Sequence, residues 1–150
     1  MEETSEQKRR RLYGKQYLAK YLAIIKKITT YRNQEDIRLL TIVDTDIILR
    51  QTESLEKGYI SKIPFNNKEE LKTIIRRKCT DETPIYLYTD LSKDCGIVFL
   101  NSINEFNLEF NFEDEPTGLI ILIGLKSEYK ILLDFYEEDE ERFMEIEYYR

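Results

Sequence analysis

Gly118-Leu119-Ile120-Ile121-Leu122-Ile123-Gly124 is a run of five consecutive aliphatic residues closed at both ends by glycine. A strand with one face in water would alternate apolar with polar side chains, and this one does not, so it reads as a strand covered on both faces. The run predicts the middle of a sheet. Downstream, Tyr129 to Tyr136 and Phe143 to Tyr149 read as two strands joined by Glu137-Glu138-Asp139-Glu140-Glu141. Met144, Ile146 and Tyr148 alternate with Glu145 and Glu147, which puts one face of the last strand in water. Upstream, Pro84 to Asp90 and Cys95 to Leu100 suggest a hairpin across Ser92-Lys93-Asp94. Ser102-x-x-Glu105 has the form of a capping box and predicts a short helix holding Ile103 and Phe106, although Leu108, Phe110 and Phe112 alternate like a strand.

The first half follows a helical period instead. Thr4-x-x-Gln7 opens an expected helix over about 5–30, with Leu18, Tyr21, Leu22, Ile25 and Ile28 on one stripe. Asn33 before Glu35 and Asp36 is a further start signal, and residues 37–43 fit a short helix or a strand equally well. A helix is expected from Asp44 or Thr45 to about Leu55, burying Ile47 and Ile48, with Gly58 suited to the left-handed cap. Tyr59 to Phe65 reads as a minor strand that Pro64 confines to an edge. Asn67-x-x-Glu70 then caps a helix over 68–79 that buries Leu71, Ile74, Ile75 and Cys79. Helices first and strands second make an α+β fold, N-terminal helices packed on a mainly antiparallel C-terminal sheet. With 150 residues and no Pro- or Gly-rich linker, residues 1–150 are expected to form one domain.

Composition narrows the chemistry. Charged residues reach 35%, against about 25% in average globular chains, while 41% is apolar and Tyr and Phe number 11 and 7. The chain has no His and no Trp, so imidazole acid–base catalysis, His-containing triads and imidazole metal ligation are excluded. Two cysteines are too few for a disulfide scaffold, no apolar run of about 18 residues exists to span a bilayer, and the N-terminus is charged where a secretory signal would be apolar. A cytoplasmic protein without membrane contact is expected. Residues 1–80 carry 18 Lys and Arg against 11 Asp and Glu, and residues 81–150 carry 5 against 18, together giving the net −6. Such segregation points to a charged partner.

Each candidate for chemistry has a plainer reading. Asp44-Thr45-Asp46 has the D-x-D spacing that serves a cation or phosphotransfer, but no Gly-rich loop or further acidic cluster accompanies it, and both carboxylates suit the start of a helix. Glu113-Asp114-Glu115 and Glu137 to Glu141 lack the spacing of a calcium loop and read as solvated turns or a protein-facing patch. Lys8 to Arg11 and Arg76 to Lys78 are basic, yet the chain is acidic overall and carries no nucleic-acid recognition motif, so direct nucleic-acid binding is not expected. Cys95 lacks a histidine to activate it and reads as a passive strand-edge thiol. No cofactor, no metal and no catalytic residue is expected, and the chain reads as a binder rather than an enzyme. Tyr is common at interfaces because it offers rigid area with a polar tip, and Tyr86, Tyr88, Tyr136, Tyr148 and Tyr149 lie in the acidic half.

Lys62-Ile63-Pro64-Phe65 before a Lys/Glu-rich helix, Pro84-Ile85-Tyr86-Leu87-Tyr88-Thr89, and Leu132-Leu133-Asp134-Phe135-Tyr136-Glu137-Glu138 carry a resemblance. In these segments the chain resembles the small cytoplasmic immunity proteins of bacterial, Bacillota-type polymorphic toxin systems. The resemblance implies a protein that binds and neutralises a cognate toxin, often a nuclease, inside the producing cell; it supplies no invariant site. Physical reasoning agrees on the partner, because a basic, phosphate-binding toxin domain would be steered toward an acidic protein. The expected binding residues are Tyr136, Glu137, Glu138, Asp139, Glu140, Glu141 and Tyr148. The alternative is an acidic regulatory or DNA-mimicking protein acting on a nucleic-acid-processing target.

Overall fold

In the computed structural model, which describes residues 2–80 and 82–150, the chain opens with two helices where the sequence predicts one. They are α1, Ser5–Gly14, and α2, Leu18–Ile28. The capping box forms as expected: the Gln7 amide N–H donates to the Thr4 hydroxyl at 3.1 Å, and the Thr4 N–H donates to the Gln7 side chain at 2.9 Å. The break falls just after Gly14, with Lys15 as the cap. Gly14 lies so close to the Asp94 backbone that a Cβ there would sit 2.1 Å from the Asp94 carbonyl oxygen. The polar α1 thus ends against another segment, and a turn redirects the chain into α2, where the apolar stripe begins and Tyr21, Ile24, Ile25 and Ile28 are buried.

A 3₁₀ turn, Gln34–Asp36, leads to β1, Arg38–Leu39, and then to α3, Ile42–Gln51. The ambiguous stretch 37–43 therefore holds both a strand and a helix start. Thr41 is the cap, accepting the Asp44 N–H at 3.0 Å, so α3 begins earlier than the acidic residues suggest. Gly58 caps nothing: it lies within β2, Lys57–Pro64, and is not among the residues with positive φ. That edge strand is eight residues long rather than minor. Asn67 caps α4, Lys68–Lys78, as predicted, by accepting the Glu70 N–H. Next come β3, Ile85–Tyr88, a single helical turn α5, Ser92–Cys95, and β4, Val98–Leu100. Cys95 consequently ends a helical turn and is not on a strand.

Residues 101–117 contain two 3₁₀ turns, Ile103–Glu105 and Phe112–Asp114, and no strand among the described residues. Phe110 and Phe112 instead pack with Phe65 and Phe135, with ring centroids 5.2–5.8 Å apart. The chain finishes with β5, Leu119–Gly124, β6, Lys130–Glu138, and β7, Glu141–Tyr149.

The seven strands are ordered β1, β4, β3, β5, β6, β7, β2, with every neighbouring pair antiparallel and the Gly-bounded run at the centre. This is an α+β fold. One face carries Ile85, Leu87, Ile120, Leu122, Ile131, Leu133, Phe135, Met144 and Ile146 into a single core with α2 and α4. The other face is covered only in part. Ile48 and Leu49 of α3 pack on Ile123, Tyr86, Tyr88 and Ile121, whereas Leu132, Asp134 and Tyr136 of β6 and Phe143, Glu145, Glu147 and Tyr149 of β7 remain half-exposed. No helix among the described residues is long and apolar enough to cross a membrane.

Candidate functional site

The acidic run closes the β6–β7 hairpin through a two-residue turn. Glu138 pairs with Glu141, leaving Asp139 and Glu140 as the central residues, at φ 52° and 66°. Positive φ at both positions is the signature of a type I′ turn, whose twist matches the flanking strands. Neither residue is glycine, so carboxylates occupy a site whose backbone prefers Asn-Gly. All residues from Glu137 to Arg142 are exposed.

Folding brings the two acidic runs together. The Arg142 guanidinium lies 3.0 Å from Glu113 and 3.7 Å from Glu137, and it stacks over the Phe112 ring at 4.4 Å. Glu113 is presented by the Phe112–Asp114 turn, which closes as the Asn111 N–H donates to the Asp114 carboxylate at 2.8 Å and the Asp114 N–H to the Asn111 carbonyl at 3.0 Å. Glu115 takes no part in this surface: it is 2% exposed and accepts the Thr117 N–H and hydroxyl. One end of the sheet thus gathers Glu113, Asp114 and Glu137 to Glu141 around Arg142, with Lys62 beside Glu138 at 4.0 Å.

The expected binding residues divide between the two faces. Tyr136 belongs with the acidic hairpin: it pairs with Phe143 on the uncovered face, its ring 6.2 Å from that of Phe143, and its hydroxyl donates to Glu145 at 2.9 Å. Partial desolvation and that hydrogen bond raise its pKa. Lys62 lies over both rings, at 5.6 Å and 4.4 Å. Tyr148 points to the opposite face, where it packs against the core with Lys78 4.4 Å from its ring centroid. Strand alternation dictates the split, because 143 and 148 differ by an odd number.

Sequence reading missed the centre of the uncovered face. The two-residue turn puts Asp134 directly opposite Glu145, and like charges in that position repel. Lys57 holds Glu147 at 2.6 Å and lowers its pKa, but the Asp134 carboxylate has no ion pair or hydrogen bond among the described residues. Burial, then Glu145 and Glu147, raise the pKa of Asp134. The alternation of Glu145 and Glu147 already signalled a wet face; only the turn length establishes what stands opposite them.

The remaining candidates lie in other surroundings. Asp46 receives the Arg10 guanidinium at 2.6 Å and the Gln7 amide at 2.8 Å, clamping α1 to α3, while Asp44 sits in the first turn of α3. Arg11 is bound to Glu3 at 2.8 Å, which divides the N-terminal basic run between two partners. Arg76, Arg77 and Lys78 occupy the last turn of α4, where cations complement the helix dipole. Cys79 is buried and its thiol pKa is raised by burial; burial and the neighbouring Asp94 push Cys95 up to about 11. Thiols so shifted are weak nucleophiles at neutral pH. Among the described residues, no three His, Cys, Asp or Glu side chains are grouped to hold a metal ion. No protein family matches this chain, and neither a curated protein nor a solved structure does.

Proposed function

We propose that this chain is an immunity protein that binds and neutralises a cognate toxin domain of basic charge, a nuclease foremost, and that it acts by binding rather than by catalysis. The observation that supports this reading is the convergence of two acidic runs on the rim of an uncovered, aromatic sheet face. The two parts suit different stages of association. Rim carboxylates raise the encounter rate and are screened over about 8 Å at physiological salt. Tyr136, Phe143 and Leu132 offer half-buried area that a partner can desolvate, and such anchors act mainly on dissociation.

The test needs a cognate toxin domain, sought first among toxin-like open reading frames beside the gene of this chain and verified by its neutralisation. Reversing Glu137, Glu138, Asp139, Glu140 and Glu141 to Lys should slow association and flatten its salt dependence. Tyr136→Ala should speed dissociation, with a cost of at least about 2 kcal/mol if it is a hot spot, and leave the melting transition in place. Tyr148→Ala should instead lower the melting temperature, because that ring packs on the core. Unchanged association rate and salt slope after the charge reversal would remove the hairpin from the interface. Binding to a nucleic-acid-processing host enzyme with no effect on the neighbouring toxin would favour the DNA-mimic alternative.

A further inference from the structure

The helix layer on the open face of the sheet stops halfway. There α3 packs Ile48 and Leu49 on Tyr86 and Tyr88 of β3 and on Ile121 and Ile123 of β5. The outward residues of β6, β7 and β2 continue the same face and are half-exposed or exposed. Neighbouring strands lie about 4.8 Å apart and packed helices about 8–10 Å apart, so the next helix position beside α3 falls two strands on, over β6 and β7. Leu132 stands half-exposed in that strip. Ile60, which the register places beside Glu147, is 57% exposed, the most of any large apolar side chain among the described residues. A sheet face of this kind is ordinarily buried against another element.

Charge selects what can lie there. Register sets Asp134 beside Glu145 in the middle of the strip. Each lysine of the face is engaged elsewhere: Lys57 holds Glu147 at 2.6 Å, Lys62 lies 4.4 Å from the Phe143 ring centroid and 4.0 Å from Glu138, and Lys130 lies 4.7 Å from the Tyr149 ring centroid. Among the described residues, the Glu145 carboxylate accepts only the Tyr136 hydroxyl, and that of Asp134 accepts no hydrogen bond and meets no cation. A neutral or acidic helix would desolvate these two facing carboxylates without compensation, whereas an arginine supplies a planar fork able to bridge both.

We propose that a helix of the partner protein lies beside α3 along β6 and β7, with an arginine bridging Asp134 and Glu145 and apolar side chains one turn away on Leu132 and Ile60. A helical turn rises about 5.4 Å and two strand residues span about 6.6 Å, so successive turns meet successive outward residues. The proposal rests on the immunity reading and deepens it, since this helix is the part of the toxin domain that the acidic rim steers into place.

The first arm of the test needs no toxin. The full chain is titrated with butylguanidinium, which is the arginine side chain in isolation, with butylammonium and with butyrate, and followed by NMR at backbone amides and side-chain carboxyls. Butylguanidinium should give saturable shifts at Leu132, Asp134 and Glu145, butylammonium weaker ones, and butyrate none. Asp134→Asn should abolish these shifts without lowering the melting temperature, because it relieves a like-charge contact. The second arm uses a verified cognate toxin domain. Hydrogen exchange should protect one arginine-bearing helix of the toxin. Changing that arginine to methionine should weaken binding at least about tenfold to the unaltered chain and not at all to Asp134→Asn. Butylguanidinium shifts that fail to saturate, match those of butyrate or survive Asp134→Asn would overturn the proposal, as would a verified toxin bound equally by the unaltered chain and Asp134→Asn. If no toxin is neutralised while the butylguanidinium shifts stand, the immunity reading fails and the arginine site does not; if neutralisation stands and the shifts are lost, the reverse holds.

Discussion

Glu140→Gly should stabilise this protein although it removes a residue from the candidate binding surface. Glu140 holds φ at 66° in the second central position of the hairpin turn. An L-residue in the left-handed region costs about 1–2 kcal/mol, which glycine avoids, while glycine adds a backbone-entropy cost of about 0.5–1 kcal/mol. The net gain is about 0.5–1 kcal/mol, or about 1–4 °C in Tm for a chain of this size. Thermal and urea unfolding measure it, with the urea m-value unchanged because the surface exposed on unfolding is the same. Glu138→Gly is the control, since it removes the same charge from the same hairpin. Glu138 lies in β6, paired with Glu141, and does not need positive φ, so glycine there should destabilise by about 0.5–1 kcal/mol. Opposite signs for two identical changes two residues apart would isolate the backbone effect from charge relief. A shift of the same sign in both variants would refute the turn assignment.

Three further outcomes are expected. Gly14→Ala should destabilise by about 1–3 kcal/mol, the usual range for overpacking, because its Cβ would meet the Asp94 carbonyl at 2.1 Å; Ala19→Gly, on an exposed position of α2, serves as a comparison of ordinary helix propensity in thermal melts. Phe65→Ala should cost about 3–5 kcal/mol in urea unfolding, since that ring is buried among Phe110, Phe112 and Phe135. Lys68 lies 3.8 Å and 4.1 Å from the Phe65 and Phe110 ring centroids and donates to the Phe110 carbonyl, and burial lowers its pKa to about 8. Between that value and the ordinary 10.5 the unfolded chain binds more proton than the folded one, so this group's contribution to stability rises with pH. The stability of the unaltered protein relative to Lys68→Met should accordingly increase from pH 8 to 10.5, and a difference that falls or stays flat would contradict the shift.

The α+β order, the central strand at 119–124, the terminal hairpin and the caps at Thr4 and Asn67 were legible from residue pattern alone. Each depends on interactions within a few residues or on a side-chain period that one element carries by itself. The start of α3 was legible in principle, since Thr41 precedes Asp44 at capping distance, but the equal fit of residues 37–43 to helix and strand concealed it. The requirement for glycine at position 14 was not: only the Asp94 backbone pressed against it makes that residue necessary, and Asp94 is 80 residues away in sequence. The same holds for the candidate surface. Its acidic and tyrosine residues were visible as composition, yet a run of carboxylates carries no information about its neighbours. Sheet register turned Tyr136 and Tyr148 to opposite faces and set Asp134 against Glu145, and Arg142 joined Glu113 to Glu137. Short-range propensity and period thus determined the elements, whereas which side chains share a surface was decided by antiparallel pairing and packing between segments distant in the chain.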